Sequence, residues 1–410
     1  MLDVNWLAIL PLLLVTGFAL LTMLLTVFVK DATRVGYFAF ASAVAIAVYT
    51  AYMWAASKGV SATTFAGAVT VDGFSYFFYL LFLMIAAVTI LAAIPYLTRE
   101  RAQHGEFYSL VLFCVVGMMV MVSSNDLMAL FLGFETMSLC VYILTGWRRH
   151  VLKSNEAVLK YYFLGAFAAG VFLYGIALLY GTTATTSLVG IRTYIATTDV
   201  MAQPLLVFGA LMVLAAIGFK IAAFPFHMWM PDVYEGAPAP VTGFMATAVK
   251  AAAFGLLTRV VIDVFGGNLH FLGLNVIWWL AILSMFVGNV FALVQQNLKR
   301  MLAYSSIAHT GYLLVGVCAL PDPTAGSAIL YYLVAYAFTN LGALACVAFL
   351  SSKDEARQNI ADYAGAAYKH PLVGLGLAVS MFSLIGFPPS AGFFGKYYIF
   401  VAALKNGLGP

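Results

Sequence analysis

Twelve continuous apolar runs, each about the length needed to cross a lipid bilayer, leave this 410-residue chain few folds to choose from. They cover roughly residues 4–29, 35–57, 73–97, 106–124, 126–146, 155–181, 203–230, 240–262, 270–295, 300–320, 325–350 and 371–404. A span needs about 20 mostly apolar residues. The runs are unbroken rather than alternating over about ten residues, so they read as helices and not as strands of a barrel. Only 9% of residues are charged against 64% hydrophobic, with mean hydropathy +0.99, too little charge to coat a water-soluble surface of this size. The expected fold is an all-α polytopic membrane protein with about twelve transmembrane helices. The links are short and hold most of the Gly, Pro, Asp and Asn, leaving no room for a soluble domain. The first run lacks a basic leader and a small-residue cleavage site, so it reads as a retained span rather than a signal peptide.

The charge pattern excludes some functions and orients the chain. A net charge of +4, spread along the sequence, does not point to a nucleic-acid partner. Loops after odd-numbered runs carry Lys30, Arg34, Arg99, Arg101, Arg148, Arg149, Lys153, Lys299, Arg300, Lys353, Arg357 and Lys369, against Lys58, Arg192, Arg259 and Lys405 on the other side. Cytoplasmic loops are enriched in Lys and Arg, so the N-terminus is expected on the non-cytoplasmic side. Cys114, Cys140, Cys318 and Cys346 fall in apolar runs and form no C-x-x-C pair, and the six histidines lack ligand spacing. No metal site is expected. The sequence has no phosphate-binding loop, dinucleotide fingerprint or haem-attachment motif, so the chain must be driven by an ion gradient or a partner.

The remaining four basic residues, Lys160, Lys220, Lys250 and Lys396, lie within the runs, as does Glu135. A charge at the bilayer centre costs about 2.5–3.5 kcal/mol on insertion scales. Glu135 lies too deep to reach the interface. Lys220 is central in the seventh run and Lys250 about ten residues into the eighth, so a lysine that snorkels to the interface is the bland alternative for these two. They are either structural ion pairs or parts of a proton path. Lys160, some five residues from a run's start, can also snorkel to the surface. Burial weakens a lysine's hold on its proton and a nearby carboxylate strengthens it. A change in the Glu135–Lys220 distance therefore switches Lys220 between holding and releasing a proton.

Two runs contain helix breakers beside these lysines. Pro225, in Gly218-Phe219-Lys220-Ile221-Ala222-Ala223-Phe224-Pro225, should break the seventh helix just past Lys220, and Pro388-Pro389 should break the twelfth ahead of Lys396. Freed backbone at membrane depth must line a cavity or find polar partners. Two broken lysine-bearing helices, five apart, suggest inverted five-helix repeats, helices four to eight matching nine to thirteen. The resulting organisation is three N-terminal helices (1–97), a first repeat (106–262) and an incomplete second (270–404). His227 and mid-span His309 are candidate proton relays or structural hydrogen-bonded histidines.

The segments FLGFETMSLCVYIL, GFKIAAFPFHMWMPDVYEGAPAPVTGFMATAVKAA, NLKRMLAYSSIAHTGY and GFPPSAGFFGKYYIF resemble the antiporter-like membrane subunits of respiratory complex I. Lys396, where another branch of that family carries glutamate, and the SSIAHTGY wording resemble its N-type members most. The resemblance implies that Glu135 and Lys220 form a coupling pair, Lys250 a central relay and Lys396 the key lysine of a second half-channel. It implies a proton-translocating subunit in the cell inner membrane, surrounded by lipid and by the other membrane subunits of the complex. Flavin, iron–sulfur clusters and quinone chemistry would belong to those other subunits, with no cofactor in this chain. The family has about fourteen helices, so the chain is expected to be a fragment lacking the last two. Two other readings stand beside this one: a subunit of a multi-subunit Na⁺/H⁺ antiporter, and a scaffold whose lysines only pair helices.

Overall fold

The computed structural model describes residues 4–199, 202–265, 276–351, 355 and 357–407. Residues 270–275 at the start of the ninth run, Lys353, and the terminal 408–410 lie outside the described residues. Among the described residues, eleven helices are long and apolar enough to cross a membrane. They are α1 (Trp6–Phe28), α2 (Ala32–Ser57), α3 (Gly73–Arg99), α4 (Glu106–Ser123), α5 (Leu127–Thr145), α6 (Leu152–Thr183), α8 (Pro204–Ile221), the composite span Ala239–Asp263, α12 (Val276–Leu293), α13 (Leu298–Cys318) and α14 (Pro323–Leu350). The composite span consists of α10 (Ala239–Phe244), one π-helical turn over Met245–Val249, and α11 (Lys250–Asp263).

The polar residues in the links set where several helices begin. Asp31, Asp72, Asp126, Asn297 and Asp322 each accept a hydrogen bond from a first-turn amide of α2, α3, α5, α13 and α14. Such a cap satisfies a donor that the helix itself leaves unpaired. Small residues let the helices approach closely: a Cβ at Gly117 of α4 would lie 2.5 Å from the Met137 amide of α5.

The seventh and twelfth runs, where prolines were expected to break the helix, are each interrupted. The seventh run is not one helix to residue 230. α8 stops at Ile221, Ala222 takes a left-handed conformation (φ 54°), and helix resumes only at α9 (Met230–Gly236). The twelfth run is two 15-residue helices, α16 (Pro371–Ile385) and α17 (Ala391–Lys405), separated at Gly386 (φ 88°) and Pro388-Pro389. The links also hold structure too short for an apolar-run reading to detect. A hairpin of β1 (Ala62–Thr64) and β2 (Val69–Val71) pairs Ala62 with Val71, α7 (Leu188–Thr197) follows α6, and α15 (Ala366–Lys369) precedes α16. Arg148, Lys299 and Arg259, counted above as loop cations, are buried. Arg259 folds back onto Asp72 at 3.1 Å.

Arg148 and Lys299 are buried because one carboxylate gathers them. Glu355 accepts from Arg148 at 3.0 Å, Lys299 at 2.9 Å, the Tyr96 hydroxyl at 2.6 Å and the Ala239 amide at 2.9 Å. This single side chain joins the ends of α3, α5, α10 and α13. Burial alone would raise the Glu355 carboxyl, but attraction to Lys299 and Arg148 and the Tyr96 hydrogen bond hold it down at about 2. A carboxyl held below its unfolded value stabilises the fold above the unfolded pKa, about 4.3, and that contribution drains away as pH falls toward the folded value. Glu355→Gln leaves two buried cations without a counter-charge, a loss of about 3–5 kcal/mol. Thermal melts should show the variant's deficit constant from neutral pH down to about 5 and narrowing below about 4.

Candidate functional site

Lys220, on the last turn of α8, is 2% exposed, and its surroundings are aromatic. Its Nζ lies 4.9, 5.5 and 5.4 Å from the ring centres of Phe134, Tyr142 and Tyr161. Ring faces are negative and attract an ammonium by about 0.5–2 kcal/mol each. Its hydrogen bond goes to Ser138 Oγ on α5 at 2.7 Å. Ser138 gives its own proton to the Phe134 carbonyl, which leaves Oγ free to accept. Glu135 sits three residues before Ser138, on the same side of α5. It forms no ion pair with Lys220 among the described residues, and its Oε1 is buried with no hydrogen-bond partner there. Lys220 is thus hydrogen-bonded to the serine that lies one helical turn along α5 from Glu135.

Lys250 begins α11 directly after the π-helical turn, a distortion that recurs at functional sites. It is 1% exposed, and all three of its N–H groups are used. They go to the Ser306 carbonyl (2.6 Å), Ser306 Oγ (2.5 Å) and Thr310 Oγ1 (2.9 Å) on α13. Thr310 donates onward to the Ile221 carbonyl at 2.8 Å, the last carbonyl of α8 and the residue after Lys220. One hydroxyl therefore bridges the two lysines' elements. On the other side, Tyr336 of α14 donates to Ser306 Oγ at 2.7 Å, and Asn340, one turn on, donates to the Tyr336 hydroxyl.

Beyond Tyr336 the polar groups continue toward Lys396. The His309 ring lies 5.0 Å from the Tyr336 ring and 5.5 Å from that of Tyr312, and its Nδ1 is hydrogen-bonded to the Tyr332 hydroxyl. The Nζ of Lys396 sits 4.8 Å over the Tyr312 ring and donates to the carbonyls of Leu384 (2.9 Å) and Ile385 (3.0 Å). Those carbonyls end α16. A helix C-terminus presents unpaired carbonyls and a partial negative charge, so the break before Lys396 supplies the groups that solvate it.

Two candidates sit apart from this row. Lys160 of α6 is 42% exposed and clasped by Glu156 at 2.6 Å and Asp232 at 2.7 Å. Arg300 joins the same cluster through Asp232 (2.6 Å) and Glu235 (2.9 Å). His227 lies in the turn after α8, stacked on Phe224, its buried Nδ1 without a partner among the described residues. Ser138, Tyr332, Tyr336 and Asn340 escape a reading of charges in apolar runs, because serine, tyrosine and asparagine are ordinary in a membrane helix. The spacing of Tyr332, Tyr336 and Asn340, four residues apart on one face, was the available signal.

The arrangement suits proton exchange better than permanent pairing. Lys220, Lys250 and Lys396 meet hydroxyls, carbonyls and rings, and among the described residues none of them is ion-paired. Hydroxyls and imidazole both donate and accept, so each can pass a proton on.

Residues 124–409 match the family model described as NADH:quinone oxidoreductase/Mrp antiporter, transmembrane. The chain is 43% identical over 404 residues to NADH-quinone oxidoreductase subunit N of Trichlorobacter lovleyi, covering 98% of this chain and 82% of the relative. It resembles a chain of respiratory complex I from Thermus thermophilus with a TM-score of 0.80 at 36% identity, over 97% of this chain and 83% of that one. A chain of the Mrp complex from Dietzia is alike in fold, with a TM-score of 0.86 at 22% identity over 98% of this chain and 76% of that one.

The seat of Lys396 depends on Gly392, where an added Cβ would lie 1.9 Å from the Ser383 carbonyl oxygen of α16. Gly392→Ala must push α17 away, at a cost of about 1–3 kcal/mol or more. Gly170→Ala, whose Cβ meets open space, should leave the melting temperature nearly unchanged. Equal melting temperatures for the two variants would contradict the packing described.

Proposed function

The chain belongs to the NADH:quinone oxidoreductase/Mrp antiporter transmembrane family, and from that membership we propose that it is the N-type membrane subunit of an NADH–quinone oxidoreductase, translocating protons through its buried lysines. The Mrp likeness rests on a chain 22% identical, which carries the fold alone. Relatives above 40% identity carry the subunit N name, so the antiporter reading gives way. The redox chemistry, with its flavin, iron–sulfur clusters and quinone, belongs to partner subunits. This chain works beside them as a multi-pass protein of the cell inner membrane, with its N-terminus on the non-cytoplasmic side. That orientation follows from the excess of Lys and Arg at the ends where α2, α4 and α6 begin.

The observation that carries the proposal is Lys250: buried, held by three oxygens and facing no carboxylate partner among the described residues. An ammonium held only by dipoles is stable enough to exist and free enough to give its proton up. The first half-path runs from Glu135 and Lys220. Two opposite charges 4 Å apart attract by about 4 kcal/mol at an effective dielectric of 20. Lys220 paired directly with Glu135 therefore keeps its proton, and Lys220 on Ser138, within the aromatic cage, is held less firmly. Movement of one helical turn switches between the two. The path then continues to Lys250, whose partner Thr310 abuts the Ile221 carbonyl next to Lys220, and on through Ser306 and Tyr336 toward the His309–Tyr332 pair, with Lys396 at the far end. We read the two broken helices, α8–α9 and α16–α17, as counterparts in inverted five-helix repeats, with Lys220 and Lys396 at the two ends of this row. The Lys160–Asp232–Arg300 cluster and His227 lie toward the cytoplasmic mouth and serve proton entry.

The test separates a proton carrier from a fixed charge. Lys250→Met should remove most NADH-driven proton transport by inside-out vesicles. Lys250→Arg, which keeps the charge but cannot deprotonate, should fail as badly. Transport at the native rate in Lys250→Arg would show that Lys250 only holds helices together.

A further inference from the structure

At the end of the bundle where α4 and α6 begin, a cavity of about 630 Å³ opens between the ends of α3, α4, α5 and α6. Its size is that of a small-molecule site. Its rim carries Arg101 and Arg149, both exposed and neither ion-paired among the described residues, while its floor carries Leu110 and Ile143, the latter half exposed on the membrane side of α5. The cavity is therefore polar above and apolar below, at the level where headgroups meet acyl chains. α4 and α6 both start there with no side-chain cap; the Phe107, Tyr108 and Ser154 amides turn to backbone carbonyls, and the positive end of each helix still faces this end of the bundle. A further signal comes from Arg148 on the inner wall. It is 5% exposed and uses Nη2 on Glu355 and the Gly236 carbonyl, but its Nε and Nη1 have no partner among the described residues. A buried guanidinium with two idle donors is an incomplete arrangement, and an oxyanion completes it.

We propose that this cavity is a phospholipid site, in which Arg101, Arg149 and the start of α6 hold a phosphodiester while the acyl chains run down past Leu110 and Ile143. The two carboxylates of the cavity set the charge of the ligand. Glu100 is answered by Arg99 at 3.6 Å. Glu106, in the first turn of α4, offsets that helix's positive end and disfavours a doubly charged anion. A singly charged phosphodiester suits this balance better than free phosphate. Basic pockets between membrane helices on the cytoplasmic side are the usual seats of lipid headgroups. The proposal rests on the orientation proposed above and stands apart from the proton path.

The intact complex, purified in detergent, is incubated with phosphatidylglycerol carrying a diazirine in its acyl chain, irradiated, and digested for mass spectrometry. Label should appear on the peptides holding Leu110 and Ile143. In an Arg101→Gln, Arg149→Gln double variant it should fall about tenfold, the loss expected from removing charge-assisted bonds. Glu106→Gln should retain or gain label, which separates lost binding from lost folding. Excess unlabelled phosphatidylglycerol should compete and inorganic phosphate should not. Absent label, equal label in the double variant, or removal by phosphate alone would overturn the proposal.

Discussion

An ammonium group cannot be left bare inside a membrane protein, and this cost shapes the centre of the molecule. Moving an isolated charge out of water is so unfavourable that the protein must either pair it or surround it with dipoles. Both solutions occur here, in different places. Glu355 pairs Arg148 and Lys299, and Asp232 pairs Lys160 and Arg300. Lys220, Lys250 and Lys396 take the second solution: rings and a serine, three oxygens of α13, and the end of a helix. A closely paired charge keeps its proton and fastens helices. A charge held by dipoles can be given up and recovered. The division separates the cations that Glu355 fastens, which hold the bundle, from the three lysines proposed to carry protons through it, with the Asp232 cluster at the proposed entrance.

The helix breaks belong to the same solution. A continuous helix uses its carbonyls internally and offers nothing to a neighbouring cation. Where α16 stops, the Leu384 and Ile385 carbonyls turn to Lys396; where α8 stops, the Ile221 carbonyl takes the Thr310 hydroxyl that also holds Lys250. Phe219 gives its carbonyl to the Trp229 indole at 3.0 Å, and the Phe224 amide donates to Ser284 Oγ at 2.9 Å, so these groups of the turn are paired within the protein. Proline and glycine in these two runs thus do more than bend the chain. They release the backbone groups that make a buried lysine tolerable.

Much of this was legible in the sequence, for identifiable reasons. A span declares itself through twenty or so apolar residues, and a charge within one is conspicuous because it is costly, so the helices, Lys220, Lys250 and Lys396 could be read directly. Lys160 was ambiguous in sequence because its position near a helix end allowed several partners, and the structure gives it Glu156 and Asp232. The parts that could not be read depend on tertiary contacts. Nothing near Glu355 in the chain announces that it meets residues 96, 148, 239 and 299. Ser138 and Tyr336 matter only through the lysine or serine they face, which composition does not reveal. The hairpin and α7 lay below the length at which an apolar run is informative.

Whether the buried lysines exchange protons can be observed at the nitrogen itself. With the complex labelled at lysine ¹⁵Nζ and reconstituted in lipid, solid-state NMR distinguishes a charged ammonium from a neutral amine, and a Lys250→Met sample assigns the central signal. The account predicts that during turnover with NADH a neutral-amine resonance absent from the Lys250→Met sample appears. A Lys250 signal that stays wholly ammonium through turnover would contradict it.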